Sequence, residues 1–241
     1  MKKKRIDSLL VERGLVESRS KAQAMIMAGE VMVEGKAVIK AGTLVAEEAA
    51  ITLAEPPPFV GRGGLKLDYA LDRFRLDVTS RVVADVGAST GGFTDCLLKH
   101  GASRVYAIDV GYGQLDYRLR RDSRVVVMER VNARYPVTLP ERIDLATLDV
   151  SFISVEKVIP SIARLVKDGG YLLVLIKPQF EARREEVGKG GVIKQPAVHA
   201  RVLGRFIAWA TVQSFRLGGL IASPILGASG NREFFILLRL T

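Results

Sequence analysis

The stretch Val82-Val83-Ala84-Asp85-Val86-Gly87-Ala88-Ser89-Thr90-Gly91-Gly92-Phe93-Thr94-Asp95-Cys96-Leu97-Leu98 sets the narrowest limits on what this chain can become. An apolar run ends in an acid and a glycine, passes through small residues and turns into an amphipathic helix. That is a strand, a glycine turn and a helix N-terminus, the place where an open α/β sheet holds a nucleotide-like ligand. Two common versions are excluded. The phosphate loop of NTPases ends in Gly-Lys-Ser/Thr, and this stretch reaches no lysine before Lys99. The dinucleotide pattern G-x-G-x-x-G fails because Ser89 stands at the second glycine. A second acid, Asp109 in Val105-Tyr106-Ala107-Ile108-Asp109, follows 24 residues after Asp85. At the end of the next strand it is placed to accept hydrogen bonds from both hydroxyls of a ribose, as an acid ~20 residues along does in nucleotide folds.

From Val82 onward, apolar runs alternate with helical stretches. The runs are 82–86, 105–110, 125–130, 143–149 and 171–176, then 222–224 and 234–240. Such alternation predicts a mainly parallel sheet with helices on both faces. The last two runs, joined through Gly227-Ala228-Ser229-Gly230-Asn231, are expected to close it as an antiparallel pair. A chain of 241 residues accommodates one such core and a small companion domain. Its single cysteine, Cys96, excludes a disulfide framework and a multi-cysteine zinc site, and points to a reducing, cytoplasmic compartment. No apolar run approaches the ~18 residues of a membrane span, and the basic start, Met1-Lys2-Lys3-Lys4-Arg5-Ile6-Asp7, leads into no signal-peptide core. The net charge of +10, from 36 basic and 26 acidic residues, favours a polyanionic partner. Nucleic acid is the first candidate and an acidic membrane the second; charge alone does not choose.

Pro56-Pro57-Pro58 marks a boundary, since three prolines stiffen the chain and end strand pairing. Before it, 5–13 reads as a helix with Ile6, Leu9 and Leu10 on one face, ended by Gly14. Ser18 caps a second helix through Arg19, Lys21, Ala22, Met25 and Ile26, closed by Gly29. Val31-Met32-Val33 and Lys36-Ala37-Val38 form a hairpin about Glu34-Gly35, and Ile51-Thr52-Leu53 adds a strand. Residues 1–21 carry seven basic and three acidic side chains, whereas 22–58 carry two basic and five acidic. The positive face therefore belongs to the two helices.

Four charged residues stand where a buried core has trouble placing them: Lys66 in Gly61-Arg62-Gly63-Gly64-Leu65-Lys66-Leu67, Asp149 at the end of the 143–149 run, Lys177 directly after Tyr171-Leu172-Leu173-Val174-Leu175-Ile176, and Glu233 after Gly230-Asn231-Arg232. Three of them sit at ends of expected strands, the usual location for chemistry in an open α/β sheet. A lysine between six apolar residues and Pro178 is costly unless it has a partner or reaches water. Asp149 is a suitable partner if the two strands are adjacent.

Several patterns resemble known families. Asp85-x-Gly87-x-Ser89-x-Gly91 resembles motif I of class I methyltransferases, which bind S-adenosyl-L-methionine. Gly14-Leu15-x-x-Ser18-Arg19-x-x-Ala22 with Gly29-x-Val31-x-Val33-x-Gly35 resembles the small RNA-binding domain shared with ribosomal protein S-four. The whole chain is similar to the TlyA-type rRNA 2′-O-methyltransferases, often named hemolysins. The similarity runs through Arg62-Gly63-Gly64-x-Lys66-Leu67, motif I, Leu148-Asp149-Val150-Ser151-Phe152-Ile153-Ser154, Lys177-Pro178-Gln179-Phe180-Glu181 and Gly230-Asn231-Arg232-Glu233. It implies a Rossmann-like, seven-stranded α/β methyltransferase domain at 65–241, an interdomain linker at 59–64 and a small α+β RNA-binding domain at 1–58. It also implies that Lys66, Asp149, Lys177 and Glu233 form the Lys-Asp-Lys-Glu tetrad of FtsJ-like ribose methyltransferases. The reaction implied is 2′-O-methylation of a cytidine ribose in ribosomal RNA within ribosomal subunits. The alternative is an RNA-binding, hemolysin-like protein without methyltransferase activity.

The chemistry agrees with the tetrad. A ribose 2′-OH is a poor nucleophile and needs an oriented acceptor for its proton. A lysine accepts that proton only as the neutral amine. A neighbouring carboxylate favours the charged form, so Asp149 is expected to orient Lys177, with Lys66 and the positive charge of the cofactor opposing it. Glu233 would hold Lys66 and the ribose; Lys177 acting only as an orienting cation remains an open version. Asp85 and Gly87 are expected near the methionine end of the cofactor, Asp109 on its ribose, Asn132 near the adenine and Asp149 touching both cofactor and Lys177. Ser89 and Gly91 would permit close backbone approach. The expected RNA contacts are Arg5, Arg19, Lys21, Arg62 and the basic loop with Arg183, Arg184, Lys189 and Lys194. Cys96 reads as a small core residue, and no metal is expected because His100 and His199 lie in no metal-ligand spacing.

Overall fold

In a computed structural model the chain divides into two compact units, residues 1–57 and 58–241. The structure describes residues 2–54 and 57–241, apart from the Lys189 side chain. Pro56 of the proline boundary lies outside the described residues.

The first unit begins with a short strand, β1 (Lys3–Arg5), followed by helices α1 (Ile6–Glu12) and α2 (Arg19–Met27). The Ser18 side chain accepts a hydrogen bond from the Lys21 N–H and so satisfies one of the donors left open at the start of α2. Strands β2 (Val31–Val33), β3 (Lys36–Ala37), β4 (Leu44–Ala46) and β5 (Ile51–Leu53) complete it. They form a three-stranded sheet, β3-β2-β5, and a separate β1-β4 ladder. Ile6, Leu10, Ala22, Ile26 and Val31 are fully buried between them. The first helix starts one residue later than expected because Arg5 pairs with Leu44 in the ladder.

The second unit contains α3 (Arg62–Phe74), β6 (Val82–Val86), α4 (Gly92–Lys99), β7 (Arg104–Ile108), α5 (Tyr117–Arg120), β8 (Val125–Met128), β9 (Ile143–Leu148), α6 (Ile159–Ala163), β10 (Val166–Ile176), α7 (Pro178–Glu181), α8 (Pro196–Val212), β11 (Arg216–Ala222) and β12 (Phe234–Arg239). Its seven-stranded sheet has the order β11-β12-β10-β9-β6-β7-β8. β12 runs antiparallel to both β10 and β11, and the other pairings are parallel. Alternate residues face opposite sides of a strand. Accordingly Leu172, Val174 and Ile176 pack on the α8 face, and Leu173 and Leu175 on the face covered by α3 and α4. All five are fully buried, which is why β10 reads in sequence as an unbroken apolar run.

Two expectations are corrected. The 59–64 stretch is no linker: Phe59 is buried in the α3–α4 core and Arg62–Gly64 open α3. The glycines that suggest flexibility instead permit contact, since a Cβ on Gly64 would lie 2.3 Å from the Phe59 side chain. The strand expected at 222–224 is β11, which begins at Arg216. It is an edge strand with a register shift between Leu217 and Gly219 and several exposed residues, so it lacks a strong apolar signal.

Candidate functional site

The site lies at one end of the sheet. β6, β9 and β10 are parallel neighbours, with Val86 opposite Leu148 and Leu148 opposite Val174. The residues just beyond these ends, Gly87 after β6, Asp149 after β9 and Lys177 after β10, therefore emerge on one edge. Antiparallel β12 starts at that same edge, where Phe234 pairs with Ile176, so Glu233 precedes its strand where Lys177 follows its own.

At Gly87 (φ +87°) the chain turns so closely that an added Cβ would lie 2.5 Å from the Asp149 carbonyl oxygen. Only glycine fits there. The turn continues through Ser89, whose N–H donates to Asp109 Oδ2 at 2.7 Å, while Asp109 Oδ1 accepts from the Gly111 N–H at 2.7 Å. Two backbone donors thus fix the Asp109 carboxylate at the end of β7, and further lone pairs stay free for hydroxyl groups. Gly87, Ser89, Asp109, Asn132, Asp149 and Phe152 line a cleft of about 360 Å³. A smaller cavity of about 140 Å³ is lined by Lys66, Gly87, Ser89 and Asp149. Asp149 and Gly87 belong to both, so the two spaces meet at the end of β9.

Two lysine–carboxylate pairs stand there. Lys177 Nζ lies 2.6 Å from Asp149 Oδ1 and donates a hydrogen bond to Ser151 Oγ at 2.9 Å. Asp149 Oδ1 is sealed from solvent, and the ammonium approaches it outside the hydrogen-bonding directions, so Oδ1 has no well-aligned donor among the described residues. Lys66 Nζ donates to Glu233 Oε2 at 2.6 Å, with both residues buried. Each cation thus faces one carboxylate; of the four, Asp149 and Lys66 line the cavities, and Lys177 and Glu233 stand behind them as their partners.

Asp85, expected near the methionine end of the cofactor, sits behind the two cavities. It is fully buried on the α4 side of the sheet and lines neither cavity. Thr94 Oγ1 donates to its Oδ2 at 2.7 Å and Thr147 Oγ1 to its Oδ1 at 3.3 Å. Burial pushes its carboxyl up to about 7; the Thr94 hydrogen bond opposes this and the Asp149 charge adds to it. Gly91 also lines neither cavity; it forms the left-handed N-cap of α4 and packs against Leu115 and Leu119. Asn132 is on the cleft wall, its Oδ1 accepting from the Arg134 N–H.

The expected RNA contacts have varied surroundings. Arg5 and Arg19 both bind the carboxylate of Asp7, Arg5 through two hydrogen bonds of 3.0 and 2.9 Å and Arg19 through one of 3.0 Å. Lys21 lies 3.4 Å from Glu17. Arg62 donates to the Leu226 carbonyl at 2.9 Å. Arg183, Arg184 and Lys194 are exposed in the loop after α7.

Sequence reasoning missed three neighbours of the site. Ser151 holds Lys177, as described. Phe152 is 91% exposed at φ +63°, with its ring 5.0 Å from that of Phe180. A bulky residue in the left-handed region stores strain, a common mark of functional turns. Glu181 braces this loop by accepting from Ser154 Oγ at 2.7 Å and the Val155 N–H at 2.8 Å. The available signal was an aromatic residue beside two serines directly after an expected strand. One grouping was also unforeseen: donor atoms of Asp68, Cys96 and His100 gather within 4.8 Å. Burial pushes the Cys96 thiol upward, against the thiolate a metal would need.

Residues 59–240 match the FtsJ-like methyltransferase family and residues 4–51 match the S4 domain. The chain is 43% identical, over 98% of its length and 89% of the relative's, to the 16S/23S rRNA (cytidine-2'-O)-methyltransferase TlyA of Mycobacterium tuberculosis. It is 41% identical to hemolysin A of Brachyspira hyodysenteriae, covering 95% of this chain and 97% of that one. Among solved structures, a protein of Streptococcus thermophilus described as a hemolysin superposes with a TM-score of 0.76 at 42% identity, covering 100% of this chain and 90% of that one. No helix among the described residues is long and apolar enough to cross a membrane. The chain belongs to the FtsJ-like methyltransferase family and carries an S4 domain ahead of its methyltransferase unit.

Proposed function

We propose that this protein methylates the 2′-OH of a cytidine ribose in ribosomal RNA, using S-adenosylmethionine, and does so in the cytoplasm on ribosomal subunits. The observation that carries the reading is the meeting of two cavities at Asp149, with Lys177 against that acid and Lys66 against Glu233. The cleft suits the cofactor: Asp109 offers fixed acceptors for the two ribose hydroxyls, Asn132 lies farther along the wall, and Gly87 lets the turn after β6 close in on the backbone of Asp149. Asp85 acts from behind, keeping β6, α4 and β9 in register through its two threonines. When bound, the cofactor supplies an electrophilic methyl group.

The remaining work falls to the chain. Lys177, fixed by Asp149 and Ser151, first gives up its own proton to water; its neutral amine then takes the proton of the reacting hydroxyl as the hydroxyl oxygen bonds the methyl carbon and the methyl–sulfur bond breaks. Positioned proton transfer of this kind contributes ~10²–10⁴-fold. Lys66, held by Glu233, orients the ribose from the smaller cavity. Phe152 offers a flat apolar face to the target base at the rim of the cleft. The S4 unit, with Arg5, Arg19 and Lys21, grips RNA phosphates and shape.

The test uses purified protein, methyl-labelled cofactor and subunits from a strain lacking the enzyme, with 2′-O-methyl mapping by mass spectrometry and Lys177→Ala alongside. A ribose mark that vanishes in the variant is expected. Cofactor binding without transfer to either subunit would remove the rRNA assignment, and absence of cofactor binding would leave only an RNA-binding protein.

A further inference from the structure

The segments that flank the mouth of the larger cleft, 110–121 and 130–135, carry three tyrosines turned outward. Tyr112 and Tyr117 are 68% exposed and Tyr135 is 60% exposed. Each also carries an arginine on its ring: Arg130 over Tyr112 at 4.3 Å, Arg121 over Tyr117 at 5.5 Å and Arg134 over Tyr135 at 6.0 Å. The other arginines of the region are differently engaged, with Arg118 on Asp116, Arg120 on Glu129 and Arg124 on Asp122. Among the described residues, Arg121, Arg130 and Arg134 lie within ion-pair distance of no carboxylate. The arginines left with uncompensated charge are therefore the ones stacked on tyrosines.

The arrangement is held by the backbone. Arg130 sits at φ +59°, and its N–H donates to the Gly111 carbonyl at 3.0 Å, tying the Tyr112 turn to the end of β8. Arg134 lines the cleft that Asp109 and Asn132 also line, so the Tyr135 pair stands at its rim. Planar rings beside unpaired, planar cations are the combination that binds unstacked nucleotides, the ring taking a base and the guanidinium a phosphate or a second base face.

We propose that this Tyr–Arg surface is a platform for the single-stranded RNA flanking the target nucleotide. It rests on the RNA-methylating function proposed above and extends the contact beyond the S4 unit to the cleft mouth. Its ligand is an unpaired RNA segment, bound through base faces and phosphates with little sequence preference.

The test compares wild type with the double variants Tyr112→Ala/Tyr135→Ala and Tyr112→Phe/Tyr135→Phe. It measures methyl transfer to ribosomal subunits, equilibrium binding to protein-free rRNA, and calorimetric binding of S-adenosylhomocysteine. Loss of one base stack corresponds to about 5- to 150-fold in affinity. The alanine pair is expected to raise KM for RNA at least tenfold and weaken rRNA binding equally, with kcat and S-adenosylhomocysteine affinity within twofold of wild type. The phenylalanine pair keeps the rings and should restore both. An alanine pair with unchanged KM and rRNA affinity would overturn the platform while leaving the reaction intact. Weakened rRNA binding in a protein that transfers no methyl group would keep the platform and remove the reaction. A loss seen on whole subunits but not on protein-free rRNA would assign the surface to a ribosomal protein and overturn the proposal.

Discussion

Each unit buries one aspartate completely, and the two are treated in opposite ways. In the S4 unit, Asp7 is covered mainly by its own ligands, Arg5, Arg19 and Gln23, whose hydrogen bonds hold its carboxyl far below the usual range. In the methyltransferase unit, Asp85 meets only threonine hydroxyls, and burial lifts it to about 7. The difference teaches where each unit spends its cations. The S4 unit uses a buried charge to fix two guanidinium groups at its surface. The methyltransferase unit keeps cations away from its interior acid and sets Lys177 on Asp149 and Lys66 on Glu233, one member of each pair lining a cavity.

The largest expected effect separates these uses. Lys177→Ala should lower kcat by about 10²–10⁴-fold with little change in RNA binding, whereas Arg19→Ala should weaken RNA binding and leave kcat alone. Single-turnover transfer and filter binding read the two; matching losses of kcat would erase the distinction. Next comes Asp85→Asn. A carboxyl raised in the folded state binds more protons folded than unfolded between pH ~4 and ~7, so folded stability falls as pH rises through that window. The loss in wild type is on the order of 4 kcal/mol, and the asparagine variant should lack it. The one tryptophan, Trp209, lies on α8, so its fluorescence during urea unfolding reports this unit. Parallel pH trends in the two proteins would show Asp85 charged throughout.

Asp7→Asn tests the opposite sign. A depressed carboxyl stabilises above the unfolded value near ~3.9, and that contribution disappears as pH falls through and below it. The variant should lose about 1–2 kcal/mol at pH 7, limited by the water that the half-exposed arginines already reach, and show a weaker acid dependence. Amide exchange in α1 and α2 measures both. The smallest effect belongs to Lys21→Ala: its exposed pair with Glu17 supports stability by under ~0.5 kcal/mol, so melting should barely move while RNA binding weakens. A clear drop in stability would mean that Lys21 belongs to the fold and not to the RNA surface.

What could be read in the sequence followed burial. β10 is covered on both faces, so its apolar run and the lysine after it were legible, as were the glycine turn after β6 and the acids at the ends of β7 and β9. The β1-β4 ladder was not, because Lys3-Lys4-Arg5 has no apolar alternation and pairs with a strand about forty residues away. β11 was displaced because an exposed edge strand with Gly218-Gly219 resembles a loop. Which face Asp85 takes was not legible either: it stands one step before the strand end, and its side chain turns to Thr94 on the α4 face. Ser151, Phe152 and Glu181 depend on a loop conformation that no periodicity encodes.

The reversed direction of β12 has a consequence for how the enzyme comes into being. Glu233 reaches the site only because the last strand of the chain enters the sheet between β10 and β11. Asp149 and Lys177 are both synthesised earlier, so that pair is complete in the chain while Lys66, made first of the four, still waits for its carboxylate.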